Sequence, residues 1–178
     1  LSSIFYFEDI EDIAISDMTV TNGNARYGNG GGIYISNSNC TISDVIISQN
    51  TADYGGGGVY LNNSSSVITN SVISGNVWRD ISGDVVYGSS GGAGILCYYD
   101  NSLLANVTIT KNISETKPAL VCSYSDIDVI NSIVWDNYTS EEISLYESDF
   151  DISFSDIDGG ENNIVVDNSI LNWLEGNI

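Results

Sequence analysis

The feature that most constrains this chain is an internal repeat of about 25 residues. A short β-prone segment led by glycine recurs at Gly32–Ile35, Gly58–Leu61 and Gly94–Cys97, and weaker versions follow near Leu120 and Ile143. The second and third segments lie about ten residues further apart than the others, which predicts an insertion loop over residues 77–90. A repeat of this length is typical of a solenoid, in which each unit packs on its neighbours.

Two further alternating segments follow each glycine-led segment, and their apolar residues keep fixed positions in the repeat. One column contains Ile15, Ile42, Ile68, Leu104, Val129 and Ile152, and a second contains Val20, Ile47, Ile73, Ile109, Val134 and Ile157. Alternation with period two predicts strands, and three short strands in about 25 residues leave no room for helices.

A single coil of this kind cannot bury its own apolar row. Stacking coils about 4.8 Å apart turns each column into a continuous apolar ladder. The repeat therefore predicts an all-β fold, a right-handed parallel β-helix solenoid of about six coils with three short strands per coil. We expect one domain over residues 1–178, either whole or an excerpt of a longer solenoid.

Two polar columns mark corners between the strands. The first contains Gly23, Asn50, Asn76, Asn112, Asn137 and Gly160, and the second contains Asp17, Asp44, Asn70, Asn106 and Asn131 before it ends at Phe154. Glycine and asparagine both tolerate positive φ, so we expect a left-handed residue at the first corner of every coil. Stacked asparagine side chains are also expected to hydrogen-bond between coils.

Charge limits the partners of this chain. It has 24 acidic and 4 basic residues, no His and a net charge of −20, so it repels nucleic-acid phosphates and no nucleic-acid partner is expected. No apolar run approaches the roughly 20 residues that span a bilayer, so no membrane insertion is expected. No cofactor is required; Ca²⁺ is a candidate ligand, but no ligand set can be identified and the metal site stays unknown.

Three segments carry a resemblance to a known family: Gly30–Tyr34, Asn131–Asn137 and Phe154–Gly160. They resemble repeats of the large secreted right-handed β-helix proteins of bacteria, which share the pectate-lyase-like fold and include polymorphic surface proteins. The resemblance covers nearly the whole chain and implies a secreted or cell-surface protein. Its motifs identify coils and do not name a substrate.

Enzymatic members of that family imply carbohydrate chemistry, with Ca²⁺-binding carboxylates and a basic residue, or with clustered Asp near His. This chain has no His, and Arg79 beside Asp80 and Asp84 is its nearest imitation of a lyase site. We expect acid pairs such as Glu141 and Glu142 to solvate the surface. No catalytic residue is predicted.

Tyrosines supply the candidate binding residues. Tyr34 and Tyr60 fall at matching outward positions, and Tyr98 and Tyr146 continue the aromatic pattern one alternate position along, beside Tyr99 and Tyr124. Such a row can pack against sugar rings. The alternative is that tyrosine simply suits strands.

The insertion loop supplies three more candidates, Trp78, Arg79 and Tyr87. A long loop on a regular scaffold is where function usually lies, so we expect a ligand or partner contact here. The alternative is a loop that packs over one face with Trp78 as its anchor.

Cys97 and Cys122 fall in one inward column on neighbouring coils, while Cys40 lies in another. The spacing of stacked strands permits a disulfide between the first two. The alternative is that both are buried thiols that pack as small apolar residues.

These features favour a non-catalytic extracellular or cell-surface module with an adhesive or structural role. Its partners would be glycans, other surface proteins, or further copies stacked head to tail into a filament. The alternative is a polysaccharide lyase or glycoside hydrolase with a divergent carboxylate site. A cleft that holds several carboxylates with a basic residue within hydrogen-bond reach would favour the enzyme.

Overall fold

A computed structural model describes residues 2–79 and 91–178, so Tyr87 and most of the predicted insertion lie outside the described residues. The described residues form an all-β parallel solenoid of about five turns, which confirms the predicted parallel β-helix. Two sheets run along its length, and a third, short sheet spans part of it. The coil count is close to the predicted six.

The first sheet takes the glycine-led segments, one strand from each coil. Its seven parallel strands are β1 (Phe5–Glu8), β4 (Ile33–Ser36), β7 (Val59–Asn62), β11 (Ile95–Tyr98), β14 (Leu120–Ser123), β17 (Ile143–Tyr146) and β20 (Ile164–Asp167). These strands are rich in aliphatic and aromatic residues. Successive side chains point to opposite sides of the sheet, so one side faces the core and the other faces outward.

The second sheet takes the two alternating segments of each coil. Its strands are β2 (Ile13–Thr21), β5 (Cys40–Ser48), β8 (Val67–Thr69), β9 (Val72–Ser74), β12 (Leu103–Ala105), β13 (Thr108–Thr110), β15 (Asp126–Ile130), β16 (Ile133–Trp135), β18 (Asp149–Ser153), β19 (Asp156–Ile157) and β21 (Ile170–Trp173). The third sheet is short and contains β3 (Asn24–Ala25), β6 (Thr51–Ala52) and β10 (Val77–Trp78). A 3₁₀ turn at Gly160–Asn163 is the one helical element of the described residues.

Both predicted apolar columns are confirmed as cross-coil ladders in the core. Ile42 pairs with Ile15 on one side and with Ile68 on the other, and Ile47 pairs in the same way with Val20 and Ile73. The members of both columns are buried throughout. Their burial is the main favourable term for the solenoid, at about 25 cal/mol per Å² of apolar surface removed from water.

The expected left-handed residue at the asparagine corner lies one position earlier than predicted. Positive φ occurs at Asn22, Gln49, Gly75, Lys111 and Asp136, each directly before a member of the Gly/Asn column. The four asparagines themselves do not have positive φ, so backbone tolerance is the wrong reason for their presence. Their side-chain hydrogen bonds supply the right one.

Those four residues, Asn50, Asn76, Asn112 and Asn137, form a hydrogen-bonded column that we call the asparagine ladder. The first three are fully buried, and Asn137 is half-buried. Each amide serves two coils: Nδ2 of Asn76 donates to Oδ1 of Asn112 at 3.0 Å and to the carbonyl of Ile47 at 2.9 Å. Oδ1 of Asn76 in turn accepts from both the backbone N–H and the Nδ2 of Asn50. The predicted hydrogen bonding between coils is therefore confirmed.

The asparagine ladder is closed at both ends by other residues. At the first coil, the backbone N–H of Gly23 donates to Oδ1 of Asn50 at 2.8 Å. At the other end, Nδ2 of Asn137 donates to a carboxylate oxygen of Glu142 at 2.6 Å. Glu142 is buried, so the expectation that it solvates the surface is wrong: a chain of donors pointing one way needs a final acceptor, which Glu142 supplies.

The second predicted corner is confirmed, including the position where its polar pattern stops. Its six members all have φ between 50° and 58°: Asp17, Asp44, Asn70, Asn106, Asn131 and Phe154. Here the side chains are on the surface, and Nδ2 of Asn106 donates to Oδ1 of Asn70 at 3.0 Å. Asp and Asn tolerate this conformation better than other side chains, which explains why the column is polar.

A third column, at the end of the first sheet, contains one residue that does not fit. Its members are Ser38, Ser64, Asp100, Ser125, Ser148 and Ser169. A typical serine, Ser125, donates to the carbonyl of Ser123 and accepts the backbone N–H of Asp100 from the preceding coil. Asp100 is fully buried and accepts a hydrogen bond from Ser102 at 2.6 Å. Burial raises the pKa of Asp100 from 3.8 to about 7.

The asparagine ladder leads to a matched pair of substitutions. We expect Asn76→Asp to lower the free energy of unfolding by about 3 kcal/mol at neutral pH, because it buries a carboxylate and replaces a donor by an acceptor opposite Asn112. The same change at the exposed corner, Asn70→Asp, should cost less than about 0.5 kcal/mol, because Asp already occupies this corner in two coils. Urea denaturation followed by circular dichroism measures both values, and equal losses would contradict the role given to the asparagine ladder.

Asp100 leads to a prediction about pH. Its pKa is higher in the folded than in the unfolded chain, so its contribution to stability is complete below about pH 4 and is lost as the pH rises through about 7. Asp100→Ser, which installs the residue of the other coils, should remove this loss. We expect the variant to be more stable than the parent at pH 8, by on the order of 3 kcal/mol, with the advantage shrinking towards pH 4. Parallel stability curves for the two proteins, measured by urea titration from pH 4 to 8, would contradict the assignment.

Candidate functional site

A row of stacked tyrosines lies on the outward side of the first sheet. Tyr6, Tyr34 and Tyr60 are aligned in register on β1, β4 and β7. The ring centroids of Tyr6 and Tyr34 are 4.4 Å apart, and those of Tyr34 and Tyr60 are 5.2 Å apart. The predicted match of Tyr34 with Tyr60 is confirmed, and Tyr6 extends the row by one coil.

The three rings differ in how far they reach solvent. Tyr6 is 55% exposed, whereas Tyr60 is only 8% exposed and packs with Leu96 and Val121. Tyr60 therefore packs against the ring of Tyr34 and has little surface left to contact a ligand. Contact with a ligand falls to Tyr6 and to the half-buried Tyr34.

A cleft of about 290 Å³ opens beside the exposed end of this row. We call it the tyrosine cleft, and its lining residues are Ser2, Ser3, Tyr6, Ala25, Arg26, Tyr27, Gly28, Asn29, Tyr34 and Tyr54. Tyr27 and Tyr54 come from loops of neighbouring coils and are largely exposed. Four aromatic rings and one guanidinium therefore surround a single concave surface.

Arg26 and Tyr27 are held in place by specific contacts. Tyr27 has φ of 58°, and its backbone N–H donates to Oδ2 of the buried Asp53 at 2.8 Å. The guanidinium carbon of Arg26 lies 5.1 Å from the centre of the Tyr27 ring, within the range of a cation–π contact. Left-handed backbone at a bulky residue costs free energy and is concentrated at binding sites.

The hydroxyl of Tyr6 is a neutral polar group that can accept a hydrogen bond. It donates to a carboxylate oxygen of Glu8 at 2.9 Å, and this hydrogen bond is the main cause that raises the pKa of Tyr6 to about 12. The phenol therefore stays protonated in any ordinary buffer. The rim of the tyrosine cleft presents hydroxyl groups beside ring faces.

A second cleft, of about 270 Å³, lies beside Trp78 and Arg79. Trp78 is 6% exposed and pairs with Ala52 of the preceding coil, and Arg79 is exposed. The indole Nε1–H has no hydrogen-bond partner in the part of the chain that the structure describes. The burial of Trp78 fits an anchor of the loop; Tyr87, Asp80 and Asp84 lie outside the described residues.

A third site is a shallow groove of about 330 Å³ on later coils, which we call the aromatic–acidic groove. Its lining residues are Tyr99, Asn101, Tyr124, Ser125, Asp126, Glu147 and Asp149. The tyrosines that the sequence grouped are in contact here: Tyr99 stacks on Tyr124, while Tyr98 and Tyr146 meet them edge-on. Hydrogen bonding to Tyr146 raises the pKa of Tyr124 to about 12.

These three clefts differ in their charged groups. The tyrosine cleft is lined by Arg26 without a carboxylate, and the Trp78 cleft by Arg79 with Glu115. The aromatic–acidic groove has three carboxylates and no basic side chain in its lining. Among the described residues, none of these clefts combines several carboxylates with a basic residue, and no group of three or more Cys, Asp or Glu side chains is placed to hold a metal ion.

The cysteines are buried as free thiols. Cys97 and Cys122 pair directly across β11 and β14, and both are fully buried, while Cys40 is buried elsewhere in the core. A hydrogen bond with Cys122, together with burial, raises the pKa of Cys97 well above its usual value. Burial raises the pKa of Cys40 to about 12.

Comparison with known proteins gives no family assignment. No protein-family model matches the chain, and the search of curated proteins finds no match. The resemblance to the pectate-lyase-like family is supported at the level of a parallel β-helix architecture. Within residues 2–79 and 91–178, no helix has both the length and the apolar character required to cross a lipid bilayer.

The buried thiols lead to a prediction about reactivity. We expect all three cysteines of the reduced, folded protein to react with a thiol reagent at pH 8 about 100-fold more slowly than after unfolding in urea, because burial blocks access of the reagent to each thiol. The raised pKa values of Cys40 and Cys97 also suppress their thiolates. The unfolded protein serves as the control and should release three equivalents. A protein purified without reductant that yields a single thiol in urea would show instead that Cys97 and Cys122 are bridged.

Proposed function

We propose that this protein is a non-catalytic binding module that works outside the cell and holds a neutral glycan in the tyrosine cleft. The observation that carries this proposal is the arrangement of exposed rings around one concave surface. Tyr6, Tyr27 and Tyr54 are 55%, 61% and 44% exposed, and all three line the cleft with Tyr34. Exposed aromatic rings grouped in a cleft are typical of a ligand site.

The chemistry of the tyrosine cleft suits a sugar. The flat faces of tyrosine rings pack against the C–H faces of a pyranose, and phenol hydroxyls exchange hydrogen bonds with its hydroxyl groups. Tyr34 is clamped between Tyr6 and Tyr60, so little side-chain entropy remains to be lost when a ligand binds. Rings from successive coils would contact successive parts of a glycan chain.

Charge selects a neutral glycan over an acidic one. The net charge of −20 disfavours the approach of a polyanion. Arg26 is the only cation in the lining, and its guanidinium already lies against the ring of Tyr27. A neutral oligosaccharide avoids the repulsion and still receives hydrogen bonds from Arg26.

An extracellular adhesive role rests on the resemblance to bacterial surface proteins and on the acidic surface. A solenoid presents side chains at fixed intervals along its length, which suits a module that displays a binding surface. Other surface proteins as partners, and head-to-tail stacking into a filament, stay predictions.

The glycan proposal is tested on an array of neutral oligosaccharides, with and without Ca²⁺. We expect at least one neutral glycan to be retained, and the double variant Tyr6→Thr/Tyr27→Asn to lose about ten-fold or more in affinity, because two ring contacts are removed. Asparagine is chosen at position 27 because it tolerates the left-handed backbone.

Tyr138→Asn is the matched control, since Tyr138 is an exposed tyrosine that does not line the cleft. It should leave affinity unchanged. No retained glycan, or equal losses in the control and the double variant, would overturn the proposal. Release of shorter saccharides from the bound glycan would favour the lyase or hydrolase alternative.

A further inference from the structure

A second unusual use of tyrosine occurs at the corner that follows each strand of the first sheet. The seven residues at this corner all have φ between 45° and 55°: Asp9, Asn37, Asn63, Tyr99, Tyr124, Glu147 and Asn168. Four coils place Asp or Asn there, the residues that tolerate such a backbone best. Two neighbouring coils place tyrosine, which is costly for a bulky side chain and points to a role other than stability.

These two tyrosines form an organised, solvent-facing pair. The ring centroids of Tyr99 and Tyr124 are 4.8 Å apart with an interplanar angle of 10°. Tyr98 contacts Tyr99 edge-on at 4.6 Å, and Tyr146 contacts Tyr124 edge-on at 5.3 Å. Tyr99 remains 52% exposed, so the pair is held from both sides and still reaches solvent.

Carboxylates continue the surface next to this pair. Asp126 and Asp149 are directly paired across β15 and β18, and Asp128 and Asp151 are paired two positions further along the same strands. Burial, Asp151 and Asp126 together raise the pKa of Asp128, so these acids repel one another. Glu147 adds a third carboxylate to the lining of the aromatic–acidic groove, which holds no basic side chain.

We propose that the aromatic–acidic groove binds a basic peptide segment of a partner protein. One lysine or arginine side chain lies against the stacked rings of Tyr99 and Tyr124, and its charge pairs with Asp126, Glu147 and Asp149. Cation–π contact and charge pairing act on the same group here. Charge complementarity identifies the partner, since uncompensated carboxylates attract a cation that the groove lacks and repel acidic or phosphorylated chains.

This site is separate from the tyrosine cleft. The cleft takes its lining from residues 2–54, and the groove takes its lining from residues 99–149. The two proposals therefore succeed or fail independently, and one protein could hold a glycan and a basic partner at once.

The test titrates the full chain with a capped pentapeptide, Gly-Lys-Arg-Lys-Gly, and with the same peptide carrying glutamine at its three central positions. We expect saturable binding of the basic peptide in calorimetry at about 50 mM salt, weakened as salt is raised. The glutamine peptide should show no binding. Binding of both peptides alike would overturn the proposal.

Two pairs of variants locate the site. Tyr99→Asn and Tyr124→Asn install the residue that other coils use at this corner, so folding should be retained while each change lowers affinity about two- to five-fold. Asp126→Asn/Asp149→Asn should lower affinity at least about five-fold. The control Asp17→Asn/Asp44→Asn makes the same change in net charge at exposed corners of other coils and should lower affinity less than about two-fold.

Two results would contradict the assignment. Equal losses in the two charge pairs would show a general attraction of a cation to an acidic protein. If the Tyr99→Asn variant keeps full affinity for the basic peptide, and Ca²⁺ alone competes with the peptide for the groove, the groove is a metal site to which the tyrosine rings do not contribute.

Discussion

The hydrogen bonds that join one coil to the next are the constraint on which the rest of this structure depends. Pairing of parallel strands sets the distance between neighbouring coils. The asparagine ladder also sets the register, that is, which residue of one coil lies opposite which residue of the next. Asn76 bonds to the coil on either side and to a backbone carbonyl, all without access to water. A slip by one residue would leave these amides unpaired in the core, at several kcal/mol each. The same register aligns the apolar columns and the outward tyrosines.

Both candidate sites lie where the repeat is interrupted. Tyr99 and Tyr124 occupy a left-handed corner at which the other coils use Asp, Asn or Glu, and Tyr27 is left-handed in the loop that lines the tyrosine cleft. Asp and Asn adopt the left-handed backbone of a corner at low cost. A bulky ring in the same conformation costs more, so a coil with tyrosine at its corner is less stable there than a coil with Asp or Asn. The strained tyrosines are therefore the positions that we propose as binding surfaces, at a cost in stability.

Acidic residues interrupt the polar columns in a different way. Asp100 replaces a serine in the core, and Glu142 ends the asparagine ladder, both as buried carboxylates. Burial raises the pKa of each. A protein with a net charge of −20 thus carries part of its acidity inside, and Asp100 makes its stability depend on pH near neutrality.

The sequence by itself determined the coil length, the inward columns, the parallel stacking and the presence of a corner at Asp44 and Asn70. Each of these features recurs with the repeat, and the period of the apolar residues indicates which side of a strand faces inward. It predicted the hydrogen bonds of Asn50 but wrongly assigned this residue the left-handed backbone, which belongs to Gln49. It also could not show that Tyr60 is buried. Only the tertiary structure brought Arg26, Tyr27 and Tyr54 together around Tyr6. Loop residues follow no period, so their meeting depends on how neighbouring coils stack, and that is decided by the folded core beneath them.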